Sequence, residues 1–194
     1  RTQIQVYETE TMTPLELPEI PEGDITSLRI SDDEKTIAFY LNASRQPNDL
    51  YICDLDGEPR RLTRSLPTSI DAADLVDGEV VRFASYDGLG IPGVLYTSHQ
   101  ASTEDPAPAL VWVHGGPGGQ SRIGYDALLQ YLVNHGYVVY AINNRGSSGY
   151  GKTFYGADDR KHGEADLGDC VASRQMLIDT GYVDSDRIGI IGGS

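Results

Sequence analysis

The sequence predicts an α/β fold, a largely parallel sheet with helices between its strands, preceded by a smaller all-β region. Three observations predict it. From about residue 79 onward, apolar runs of strand length alternate with segments of helical period. Before residue 65, the apolar segments are short and separated by turn-forming residues. Finally, two of the later apolar runs end directly in glycine-rich turns, at His114 to Gly119 and at Gly192-Gly193-Ser194.

Composition narrows the function classes. With 39% hydrophobic and 23% charged residues the chain reads as globular, and no apolar stretch approaches the roughly 20 residues that span a membrane. A net charge of -14 argues against nucleic acid, because phosphate binding needs clustered Lys and Arg. Two cysteines, Cys53 and Cys170, are too few for a disulfide framework and read as reduced core thiols. A cytoplasmic location is expected, with no membrane partner and no metal or organic cofactor.

From Ile25 the chain runs as short β segments, Ile25 to Ile30, Thr36 to Leu41, Leu50 to Asp54 and Arg60 to Thr63. Ser31-Asp32-Asp33 and Asp56-Gly57 supply the turns, Gly accepting positive φ without steric cost. Four such strands form one meander, either a blade of a propeller or an ordinary antiparallel sheet. Residues 66–78 are polar with weak periodicity and read as a linker, so the expected domains are 1–65, the terminal portion of a β-propeller, and 79–194.

Val80 to Ser85 and Gly93 to Thr97 read as a strand pair around Asp87-Gly88, and Ser102 to Pro108 as an exposed loop. Ala109 to His114 is continuously apolar, as a parallel strand buried on both faces requires. Leu128, Tyr131, Leu132 and His135 form a helical stripe closed by Gly136. Tyr137 to Ile142 is the next buried strand. Leu167, Cys170, Val171, Leu177 and Ile178 are expected along one face of a second helix, with Glu164, Asp166 and Asp169 at its positive end. Arg187 to Ile191 is the third buried strand, and the βαβαβ order predicts right-handed crossovers.

A serine hydroxyl is a weak nucleophile, so acyl-transfer enzymes expose it on a sharp strand-to-helix turn flanked by small residues. Gly192-Gly193-Ser194, straight after Ile188 to Ile191, is half of that G-x-S-x-G elbow; a plain glycine turn is the alternative. His114-Gly115-Gly116-Pro117-Gly118-Gly119 follows a buried strand, where an α/β-hydrolase places a loop that gives a backbone N–H to the oxyanion hole. Gly115 and Gly116 are the candidate donors. A bare turn or a phosphate-cradling loop is the rival, although neither G-x-x-x-x-G-K-[ST] nor G-x-G-x-x-G fits. His114 is rejected as the general base, because chain order in these hydrolases is Ser, then Asp, then His. The catalytic Asp and His are therefore expected beyond residue 194, in the remainder of the polypeptide or in a second chain.

Taken together, these residues resemble the prolyl oligopeptidase family of serine peptidases, in its acylaminoacyl-peptidase and dipeptidyl-peptidase-like branches. The blade-like part rests on Ile30 to Phe39, Asp49-Leu50-Tyr51 and Arg61-Leu62-Thr63, with Asp32 and Glu34 replacing the family's usual Pro and Gly. Phe83 to Gly88 and Ile91 to Tyr96 are similar to the family's first hydrolase hairpin. The most specific run is Asn143-Asn144-Arg145-Gly146-Ser147-Ser148-Gly149-Tyr150-Gly151. The resemblance implies a β-propeller followed by an α/β-hydrolase domain, of which the N-terminal half is present and ends at its nucleophile, Ser194. It further implies Gly115 or Gly116 as one oxyanion donor and the residue after Ser194 as the other. Some members use a Tyr hydroxyl at the His114 position; this chain has no such phenol there, which favours a backbone donor.

Arg145 and Tyr150 also match; they are candidates for a substrate-proximal role or for a buried ion pair with Asp166 or Asp169. The implied activity is hydrolysis of short peptides, or of acylated or dipeptidyl N-termini, through an acyl-enzyme, in a protein that can also form homo-oligomers. A carboxylesterase or proline-iminopeptidase-like hydrolase is the enzymatic rival, and a non-catalytic interaction module the rival of another class.

Overall fold

The computed structural model describes residues 2–194, which fall into two compact units: one runs to Leu75 and includes Ile123–Asp126, the other comprises Val76–Arg122 and Ala127–Ser194. The first unit opens with two short paired strands, β1 (Val6–Tyr7) and β2 (Pro14–Leu15), too short to leave a period-two signal in the sequence. An antiparallel meander follows: β3 (Asp24–Ile30), β4 (Thr36–Ala43), β5 (Gln46–Asp54) and β6 (Arg60–Arg61).

Alternation along β4 dictates its faces: Ile37, Phe39 and Leu41 are buried while Tyr40 between them is exposed. Phe39 lies directly opposite Tyr51 in the register, and their rings stack with centroids 5.6 Å apart. The fully buried Asp49 accepts from Thr63 Oγ1 at 2.9 Å, from Ser65 N–H at 2.8 Å and from Arg61. Burial pushes its carboxyl up, but these donors outweigh it and hold it below the ordinary value. This pairing closes β6 onto β5 and accounts for the Asp49 and Arg61-Leu62-Thr63 pattern as architecture. Within residues 66–78, Ala72–Asp74 forms a single 3-10 turn capped by the Asp71 carboxylate on Ala73 N–H, and Leu75 and Val76 are buried.

The second unit holds β7 (Glu79–Ala84), β8 (Gly90–Tyr96), β9 (Ala107–Val113), α1 (Ala127–Asn134), β10 (Val138–Ile142), α2 (Lys152–Tyr155), α3 (Ala165–Asp179) and β11 (Val183–Gly192). Its sheet has the order β11-β9-β10-β8-β7. β9, β10 and β11 are parallel, and β7 and β8 form the antiparallel entry hairpin. All five residues of β10 are buried, because both faces are covered: Val138, Tyr140 and Ile142 share a cluster with Cys170 and Leu177 of α3, and Val139 and Ala141 share one with Leu129 and Val133 of α1. Among the described residues no helix is long and apolar enough to cross a membrane.

Three expectations are corrected. Helix α1 buries Leu129, Gln130 and Val133, while Leu128 and Tyr131 are exposed; the buried Gln130, which donates to Val76 O and accepts from Val76 N–H, rotates the inward face by one residue. Helix α3 likewise buries Ala165, Asp169, Cys170, Ser173 and Leu177 and leaves Leu167 and Val171 exposed. A buried acid on the core face had disguised its period. Strand β11 is an edge strand whose Ile190 is 63% exposed, not one covered on both faces.

Tyr140 is fully buried, its ring edge-on to Phe83, and its hydroxyl has no hydrogen-bond partner among the described residues. Tyr140→Phe should therefore remove a desolvation cost of about 1–3 kcal/mol and raise the urea midpoint. A drop in that midpoint would show that the hydroxyl is satisfied.

Candidate active site

Register builds the site. Gly192 of β11 pairs with Val113 of β9 in a parallel ladder, so residues two beyond each strand's partner meet just past the sheet edge. There a Cβ on Gly115 would lie 2.8 Å from Ser194 Cβ and 3.3 Å from Ser194 Oγ, distances that only a glycine avoids. Ser194 is exposed and carries φ +96, a left-handed backbone that non-glycine residues rarely adopt. Gly115 is half-buried against it, and Gly116, at φ +114, is exposed.

The His114 ring is committed elsewhere. Its Nε2 lies 2.8 Å from Ser147 Oγ, whose own proton goes to Asn144 O at 2.6 Å; Nε2 is therefore the donor to Ser147. Its Nδ1 lies 3.0 Å from Gly115 O. The imidazole thus ties the glycine loop after β9 to the loop after β10. That agrees with its rejection as a base.

Arg145 is likewise absorbed by structure. Its Nε and Nη2 reach Asp169 at 2.9 and 2.8 Å, and Nη1 and Nη2 reach Asp87 at 2.8 and 2.9 Å. Its own N–H also donates to Asp169 Oδ2 at 2.8 Å, Ser85 Oγ donates to Asp169 Oδ1 at 2.6 Å, and the guanidinium lies 4.8 Å from the Tyr86 ring centroid. Asp169, one of the two acids considered for Arg145, is the buried end of this pair, with Asp87 added. Hydrogen bonds from Arg145 and then from Leu89 N–H hold Asp87 down to about 2. Tyr150 accepts from Asn143 Nδ2 at 2.9 Å and packs on Phe154.

A serine just beyond a parallel strand, against a glycine loop from the neighbouring strand, matches the arrangement of an α/β-hydrolase. Residues 124–194 match the model of the prolyl oligopeptidase family. The chain is similar to the dipeptidyl aminopeptidase BIII of Pseudoxanthomonas mexicana, 28% identical over 184 residues that cover 92% of this chain and 27% of that protein. Its fold is similar to that of a Mycobacterium tuberculosis puromycin-hydrolyzing peptidase (TM-score 0.85, 28% identity, 98% of this chain and 29% of that one). It also resembles the acylaminoacyl peptidase of Pyrococcus horikoshii (TM-score 0.73, 25% identity, 94% and 29%). The chain spans little more than a quarter of the length of the curated relatives it matches.

Because Asp87 is held below its free value, its pairing contributes fully above about pH 4, the ordinary carboxylate range, and is lost as pH falls through about 2. Denaturation midpoints over that window should fall in the native protein and flatten in Asp87→Asn. Asp169→Asn, which leaves a buried guanidinium short of its partner, should cost about 3–5 kcal/mol at neutral pH.

Proposed function

We propose that the protein is a serine peptidase that hydrolyses short peptides, or acylated or dipeptidyl N-termini, through an acyl-enzyme at Ser194. The observation that carries this reading is the contact between Ser194, exposed at φ +96, and Gly115 of the glycine loop. In the reaction, Ser194 Oγ attacks the scissile carbonyl carbon and its proton passes to a histidine base. Backbone N–H groups at Gly115 or Gly116 stabilise the oxyanion. The C–N bond then breaks, the base returns the proton to the leaving amine, and water hydrolyses the ester.

The base and its orienting carboxylate are assigned to residues outside this chain, in the remainder of the same polypeptide. The first unit's meander is assigned to a propeller that limits access by substrate size. Two buried free thiols, Cys53 and Cys170, support action in the cytoplasm. A peptidase named for N-terminal dipeptides and one named for acylated amino acids among its similar proteins both support the N-terminal substrate class.

Labelling of the full-length protein by a fluorophosphonate should map to Ser194 and vanish in Ser194→Ala, with kcat falling by about 10⁴–10⁶-fold. A folded protein that is not labelled overturns the assignment. Gly115→Ala, which drives a methyl against Ser194, should lower kcat by about 10²–10³-fold while circular dichroism stays unchanged.

A further inference from the structure

A second cluster in the catalytic unit is used by neither the fold contacts nor the chemistry above. Asp158, His162 and Asp166 follow one another at four-residue intervals through the turn between α2 and α3, and one donor atom of each lies within 4.8 Å of the other two. Asp158 is 2% exposed. Its carboxylate is packed against the backbone of Gly146, which sits at φ +92 and has no room for a Cβ, so the group is held rigid.

Its Oδ2 is buried without a hydrogen-bond partner. His162 Nδ1 approaches that oxygen to 2.9 Å, yet without the alignment of a hydrogen bond. Two donor atoms 2.9 Å apart but not aligned with each other can both turn to an ion beside them. A buried carboxylate oxygen with no aligned hydrogen-bond donor, facing only a half-exposed imidazole, is costly, and a cation is a partner that removes the cost. Asp166 Oδ1 accepts from Gly163 N–H at 2.7 Å and Leu167 N–H at 2.9 Å, which fixes the third carboxylate at the start of α3. His162 is half exposed and provides the entry side.

We propose that Asp158, His162 and Asp166 form a binding site for a first-row divalent cation of the Zn2+ type. One imidazole nitrogen and two carboxylates suit such an ion better than Mg2+ or Ca2+, which take oxygen donors. At metal–ligand lengths of about 2.0–2.2 Å, paired donors stand up to about 4.4 Å apart, so a small rotation of the exposed His162 completes the set. The bound ion would pin the α2–α3 turn to the first turn of α3, beside the loop of Arg145. No residue of the Ser194 site takes part.

The test is calorimetric titration of Zn2+ into the chelator-treated full-length protein, with thermal melting in parallel. One saturable equivalent and a raised melting temperature are expected. His162→Ala and Asp166→Asn, both at accessible positions, should each weaken Zn2+ binding by more than the roughly tenfold that loss of an outer-shell partner costs, and should abolish the thermal shift while leaving fluorophosphonate labelling intact. Absence of saturable binding, or unchanged affinity in either variant, overturns the site and leaves Asp158 and His162 as an ordinary ion pair.

Discussion

The second unit depends on one buried cation. Arg145 stands at the end of β10, and its guanidinium donates two hydrogen bonds to Asp169 of α3 and two to Asp87 of the β7–β8 turn. A guanidinium is the one side chain that stays charged when buried and that meets two carboxylates in fixed planar geometry. Burial alone would oppose its charge; the paired carboxylates, Asp169 foremost, reverse that and raise its affinity for the proton. The arrangement fixes where the loop 143–151 begins. From that loop Ser147 holds His114, and His114 lies against Gly115. Glycine-loop placement is thus inherited, through three side chains, from an ion pair on the other strand's loop.

Such an anchor differs from apolar packing in how it fails. Removing a methyl from the Val138–Tyr140–Ile142 face leaves a cavity into which neighbours partly relax. Removing Asp169 leaves a charge that cannot relax, because Ser85 and the Arg145 backbone N–H also lose their acceptor. Specific geometry around Ser194 therefore rests on polar contacts, and the bulk of the stability on the two apolar layers of β10.

Much of the fold was legible in the sequence. The apolar runs of β9 and β10, the Asp87-Gly88 turn and the four-strand meander are read from period and turn chemistry, and each is present in the structure. The inward face of α1 was misread by one residue, and that of α3 in part, with Cys170 and Leu177 buried as expected but Leu167 and Val171 exposed, where a polar side chain, Gln130 or Asp169, occupies a core position. Edge position of β11 was invisible, since Ile188, Ile190 and Ile191 read the same whether covered or not. At the site, glycine spacing marked Gly115, Gly116 and Ser194. Strain at Ser194 and the commitment of His114 to Ser147 needed coordinates, as did the meeting of Asp158, His162 and Asp166, whose four-residue spacing crosses a turn and not a continuous helix.

The pairing of Val113 with Gly192 works as a ruler. The loops that join the elements between the two strands can change length without disturbing the alignment, because the ladder resets it. The tails of two residues beyond each mark cannot. One residue inserted in either tail would shift serine against loop by a full step and turn its side chain to the opposite face. Tolerance to insertion should thus be found in the exposed connecting loops and be nil in these two short tails.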